Sequence, residues 1–335
     1  MSRRVAILCP GRGSYGESSR RSLPEGHPWV VAAERARHER GLESLVALDR
    51  SERFQPDRHL RPSNISPLIY LVSSLHAAAA LGPGGEGRAV CVAGNSLGWY
   101  TALAVAGALS FEDGLLLVQE ISSLQEGVRG GQVLWPLVDE TWRRSAARER
   151  ELEEALARSA GEVEASIHLG GYAVLAGSEE GVARLLRELG PVTLGRTRFP
   201  LRLAWHGPYH TSRIADVAAR AREILKDLEF VPPKVPLIDG RGVCFSPWST
   251  DPSELRAYTL DTQLVTPYDF TSSVRVALRE YAPERLVLPG PGNSLGAVCG
   301  HVLVEEGWRG IRSRSDFDRE QEGDEPVVVS MDRGR

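Results

Sequence analysis

A serine flanked by glycines carries the first chemical signal in this 335-residue chain. Gly94-Asn95-Ser96-Leu97-Gly98 has the G-x-S-x-G spacing of a nucleophile elbow. An apolar run, 88–93, precedes it, and a small-residue helical pattern over 97–108 follows. Glycines on both sides permit a turn tight enough to present the Ser96 hydroxyl at a helix N-terminus. There the backbone N–H of Leu97 can stabilise an oxyanion. A Gly-Ser turn capping a helix, with no chemistry, is the plain alternative; the strand–turn–helix context weighs against it. A serine nucleophile needs a base. Of eight histidines, His206 is the strongest candidate: it ends Leu203-Ala204-Trp205, is followed by Gly207-Pro208, and stands just before a helix. His210, four residues on, is its rival. His76 reads as structural, and His27, His38 and His59 as surface residues.

These side chains need elements to position them. Val5 to Cys9 reads as a buried strand feeding the glycine loop Pro10-Gly11-Arg12-Gly13-Ser14. Helices are expected at 27–48 and 65–81, the second entered through Ser66-Pro67, and at 111–126. Between 132 and 201 the order strand, helix, strand, strand, helix, strand is that of a ferredoxin-like unit. The expected fold class is therefore α/β. Its parts are a large body (1–128 and 202–312), an inserted ferredoxin-like subdomain (129–201) and a loosely held tail (313–335).

The motifs, taken in order, resemble the malonyl-CoA:acyl carrier protein transacylases and the acyltransferase domains of polyketide synthases. Pro10-Gly11-Arg12-Gly13-Ser14 resembles the family's PGQGS loop, and residues 94–100 resemble GHSLGEY. Residues 204–208 resemble the segment ending in the catalytic histidine, 263–267 the QLxxP stretch, and 290–295 the terminal GPGxxL. The resemblance implies a hydrolase-like parallel-sheet body and a Ser96–His206 dyad working by ping-pong through an acyl-enzyme. It also implies that the backbone carbonyl of Gln263 orients the histidine, and that the N–H groups of Arg12 and Leu97 form the oxyanion hole. No bound cofactor is implied: the substrate is an acyl thioester of coenzyme A or of carrier-protein phosphopantetheine, and the partner is an acyl carrier protein.

Departures from the family bear on specificity. Asn95 and Trp99 replace a histidine and a glutamate, and Ser66 replaces a glutamine. The arginine that pairs with a malonyl carboxylate falls on Ile121, or on Glu120 if the register slips by one. A buried carboxylate without a cation is costly, so a non-carboxylated acyl group, even aminoacyl or peptidyl, is expected. Trp205 is expected to narrow the acyl pocket. The alternatives are a trans-acting hydrolase that strips acyl groups from carriers, an ordinary malonyl transferase using another arginine such as Arg129, and a catalytically silent docking module.

Composition agrees with a globular protein: 42% hydrophobic, 25% charged, formal charge −4. Nothing in it favours nucleic acid or an anionic membrane. Cys9, Cys91, Cys244 and Cys299 are scattered without metal-ligand spacing. No signal peptide or membrane-length apolar run is evident, so a cytoplasmic monomer is expected.

Overall fold

The computed structural model describes residues 2–332. Strand Arg4–Cys9 is buried beyond its first residue and lies between two parallel partners, Arg88–Gly94 and Arg285–Leu288. Such continuous apolar strands suit a parallel sheet covered on both faces. Leu237–Ile238 adds a further parallel strand, and Cys244–Phe245 folds back antiparallel to form one edge.

The opposite edge is Val328–Ser330, parallel to Arg285–Leu288. This strand corrects the expectation of a loose tail. Val327, Val328 and Val329 are each 5% exposed, and helix Arg314–Glu322 buries Phe317 against the core. The charged stretch around this helix lies on its outer side and masks three valines that complete the sheet.

Helix Pro62–Leu81 starts a turn earlier than expected and contains Pro67 in its interior. Proline at that position leaves the Ser63 carbonyl without its helical donor; the buried Arg37 Nη1 supplies one at 2.7 Å. By length and composition this 20-residue helix could cross a membrane, contrary to the sequence reading, yet 72% of its most apolar window is buried inside the fold. The pattern over 27–48 divides into Pro28–Glu39 and Leu45–Asp49, with Gly41 at φ +63° between them. His59, expected at the surface, is fully buried.

Residues 131–202 run strand Gly131–Pro136, helix Ala146–Arg158, strands Val163–Leu169 and Tyr172–Gly177, helix Glu179–Glu188, and strand Leu201–Arg202. A small hairpin, Val192–Leu194 with Thr197–Phe199, precedes the last strand. Four strands pair antiparallel around a core of their own that includes Val133, Trp135, Leu152, Leu175 and Val182. Tyr268–Asp269, from the body, joins this sheet in parallel beside Ile167–His168. The two sheets are thereby tied, and the site lies where they meet.

Candidate active site

The C-terminal ends of Arg4–Cys9 and Arg88–Gly94 deliver two glycine turns to one point. Ser96 sits at φ +54°, a left-handed conformation that costs a non-glycine residue energy and recurs at functional turns. The glycines around it are there for space. A Cβ on Gly94 would lie 2.1 Å from the Gly98 backbone, and one on Gly98 would lie 2.1 Å from the Cys9 carbonyl oxygen. Only bare backbone allows the elbow, the strand and helix Gly98–Val105 to pack this closely.

The Ser96 hydroxyl lies 2.7 Å from Nε2 of His210, not of His206. On the far side of the ring, Nδ1–H donates to the Gln263 carbonyl at 2.7 Å. That bond leaves the Nε2 lone pair facing the serine. The expected base, His206, is corrected to His210. His206 Nδ1 donates to the Ala204 carbonyl at 2.8 Å, within its own loop, and the half-buried ring lines the cavity without bonding Ser96. The loop between them is pinned further along. Ser166 Oγ donates to the Tyr209 carbonyl at 2.9 Å and Thr211 Oγ1 to the Pro208 carbonyl at 2.6 Å, so the buried His210 is the histidine driven inward.

Gln263 contacts both members of this pair. Its carbonyl holds His210, its Nε2 donates to the Ser96 carbonyl at 3.2 Å, and its Oε1 accepts from Tyr100 Oη at 2.9 Å. The backbone N–H groups of Arg12 and Leu97 take no hydrogen bond among the described residues, so both remain available as donors. Burial lowers the His210 pKa to about 4, with the positive charge of Arg12 adding to the depression and the Gln263 bond opposing it. His206 is lowered by burial, then by Arg12.

A cavity of about 210 Å³ opens from Ser96 and is lined largely by apolar side chains, among them Val118, Ile121, Leu134, Ile167 and Val174. Ile121 is buried in its wall, and Asn95 lines it with Oδ1 unpartnered. Glu120 is not in the cavity: it pairs with Arg40 at 3.3 Å, because successive helical residues face different sides. Trp205 does not narrow the pocket. It sits at φ +60°, 44% exposed, outside the lining. Arg129 is exposed and also outside it.

The cation comes from elsewhere. The Arg12 side chain enters the cavity, Nε donating to Ser66 Oγ at 3.0 Å and Nη2 to Gln125 Oε1, with the guanidinium 4.8 Å from the Tyr209 ring centroid. Its Nη1 is buried without a partner, and no carboxylate pairs with it among the described residues. Gln125 stands one helical turn beyond Ile121, so the guanidinium occupies the neighbourhood where the sequence reading found no charge. That reading treated Arg12 only as a backbone donor. Among the described residues, no group of three or more His, Cys, Asp or Glu could hold a metal ion.

No family model matches the chain. It is similar to the malonyl CoA-acyl carrier protein transacylase of Bacillus subtilis, 24% identical over 307 residues, 89% of this chain and 90% of that protein. It is also similar to the polyketide biosynthesis protein ThaF of Burkholderia thailandensis, 28% identical over 253 residues, 75% of this chain and 20% of that longer protein. Among solved structures, an acyl-carrier-protein S-malonyltransferase from Burkholderia pseudomallei has a TM-score of 0.74 at 21% identity, covering 98% of this chain and 96% of that one. Relatives and structural neighbours thus carry the names of the family whose motifs are recognised in the sequence, and the fold is the mixed α/β fold of those neighbours.

Proposed function

We propose that this protein is an acyltransferase that holds its acyl group as an ester of Ser96 and passes it to the phosphopantetheine thiol of an acyl carrier protein. The observation that carries the reading is the relay from the Ser96 hydroxyl through both nitrogens of His210 to the Gln263 carbonyl, 2.7 Å at each step. His210 Nε2 takes the hydroxyl proton as Ser96 Oγ attacks the thioester carbonyl. The N–H groups of Leu97 and Arg12 receive the oxyanion. Collapse of the tetrahedral adduct breaks the C–S bond, and His210 returns the proton to the departing thiolate. A carrier thiol then attacks the ester by the same steps in reverse roles, freeing Ser96. The name of the Bacillus subtilis relative, malonyl CoA-acyl carrier protein transacylase, includes both coenzyme A and an acyl carrier protein, which supports both partners.

The charge of the acyl group is read differently once Arg12 is in view. A half-buried guanidinium with one unpaired nitrogen favours an acyl group that brings a carboxylate and disfavours an aminoacyl group. The apolar wall around Ile121 supports a second reading, an uncharged acyl chain.

Intact-protein mass measurement after exposure to malonyl-CoA or butyryl-CoA tests both points. Wild type gains one acyl mass, and the Ser96→Ala variant gains none; a normal adduct on that variant would exclude Ser96. Adding a carrier thiol should discharge the adduct faster than water does, whereas equal discharge would favour hydrolysis. Arg12→Gln should lower kcat/KM for malonyl-CoA and spare butyryl-CoA. Equal losses would remove Arg12 from substrate selection.

A further inference from the structure

Trp99, three residues after the nucleophile, has no part in the reaction as proposed. Its side chain is fully buried, and its indole Nε1–H donates to Thr259 Oγ1 at 3.0 Å. The indole stands edge-on to Tyr258, with ring centroids 5.1 Å apart and planes at 86°. Both contacts fall on Tyr258–Thr262, a turn in which the helix begun at Pro252 widens to i→i+5 pairing immediately before Gln263. Single wide turns of this kind displace the residues that follow and recur at functional sites. Thr259 is anchored in turn, Oγ1 donating to the Leu255 carbonyl at 2.8 Å. Side chains of segments 96–100 and 258–263 therefore make three hydrogen bonds between the two segments, besides the Trp99–Tyr258 ring contact. Two involve Gln263 itself, through Tyr100 and the Ser96 carbonyl; the third, Trp99–Thr259, touches neither Ser96 nor His210.

We infer that Trp99 and Thr259 are positioning residues: their hydrogen bond sets the wide turn against the nucleophile's helix, and so sets the Gln263 carbonyl against His210. The inference rests on the Ser96–His210 reading. If the turn moves, the bond from His210 Nδ1 lengthens. The ring then loses both its orientation toward Ser96 and the one interaction that favours its protonated form. The other groups facing His210 are Ser96, the charge of Arg12 and the Tyr268 ring at 5.4 Å. Arg12 and Tyr268 are bonded to neither Trp99 nor Thr259, and Ser96 meets Trp99 only through the backbone, its carbonyl accepting from the Trp99 N–H at 3.0 Å, a bond that side-chain substitution leaves in place.

Thr259→Val removes the acceptor with little change of shape, Thr259→Ser restores it, and Trp99→Phe removes the donor while keeping a ring. With malonyl-CoA and butyryl-CoA as probes, Thr259→Val and Trp99→Phe should lower kcat for Ser96 loading about tenfold, leave KM unchanged, and move the acid limb of the rate profile to lower pH. Thr259→Ser should return both quantities to wild type. A Thr259→Val variant with full loading rate and an unmoved acid limb, even with a lowered Tm, would overturn the inference. So would equal losses in Thr259→Ser and Thr259→Val. Loss of the underlying dyad reading shows separately, as an adduct that persists in Ser96→Ala or as an undiminished loading rate in His210→Ala.

Discussion

Replacing His210 by alanine removes the only side chain bonded to the Ser96 hydroxyl among the described residues. Loading should fall by about 10²–10⁴-fold, the usual contribution of a placed general base. His206→Ala removes a ring bonded to its own loop and should leave loading close to wild type. Single-turnover acylation of the two variants distinguishes them, and the opposite ranking would return the base to His206. The same measurement has a pH signature. Burial, with Arg12 adding to it, holds the His210 pKa down at about 4, so the neutral, proton-accepting form persists above that value. The loading rate constant should stay level from pH 7 down to about pH 5 and fall only as pH approaches the lowered pKa. A midpoint near the ordinary histidine value would mean that His210 is solvated during catalysis.

Backbone approach, more than side-chain contact, builds the turn that lifts the serine. A Cβ on Gly98 would stand 2.1 Å from the Cys9 carbonyl oxygen, an atom held in the sheet by its strand and unable to yield as a flexible side chain would. Gly98→Ala should therefore part strand and helix, destabilising the protein by about 1–3 kcal/mol or more, with loss of loading beyond that expected from the unfolded fraction. Gly16→Ala is the matched control: nothing lies within 4 Å of its Cβ position, and its φ of −142° suits any residue. Urea unfolding of both variants checks the contrast. An unperturbed Gly98→Ala protein would mean that the elbow has room the structure does not show.

The body sheet and the subdomain sheet are tied through Tyr268–Asp269, and the body sheet is closed off by its last strand. Deleting residues 313–335 would remove strand Val328–Ser330 and Phe317, uncover the edge of Arg285–Leu288, and expose apolar surface that is now buried. The truncated protein should show a lowered Tm and increased aggregation, read by thermal unfolding and light scattering. Unchanged unfolding would restore the view of this segment as an appendage. Glu325 reinforces the expectation, since it is paired with Arg3 at the start of the first strand and with Arg285. Exposed pairs of this kind add little by themselves, so the loss should come chiefly from the apolar contacts.

What the sequence alone determined is local or patterned. The candidate nucleophile follows from five consecutive residues whose glycines permit one turn geometry, and the α/β class follows from apolar runs alternating with helical periods. Gln263 came from resemblance as the carbonyl that orients His206; the carbonyl holds a histidine ring, but that of His210. Tertiary structure decided whatever depends on which way a side chain leaves the backbone. His206 and His210 are four residues apart in one loop, and only its anchoring at Pro208 and Tyr209 drives the second ring inward. Arg12 was legible as part of a glycine loop, yet a long flexible side chain can reach any of several partners. Its meeting with Ser66 and Gln125, residues 54 and 113 positions away, is invisible in the order of the chain. The tail was expected to be loosely held because its residues are mostly charged; a short valine strand's worth depends on whether an unpaired edge is waiting for it, and the fold supplies that edge at Arg285–Leu288.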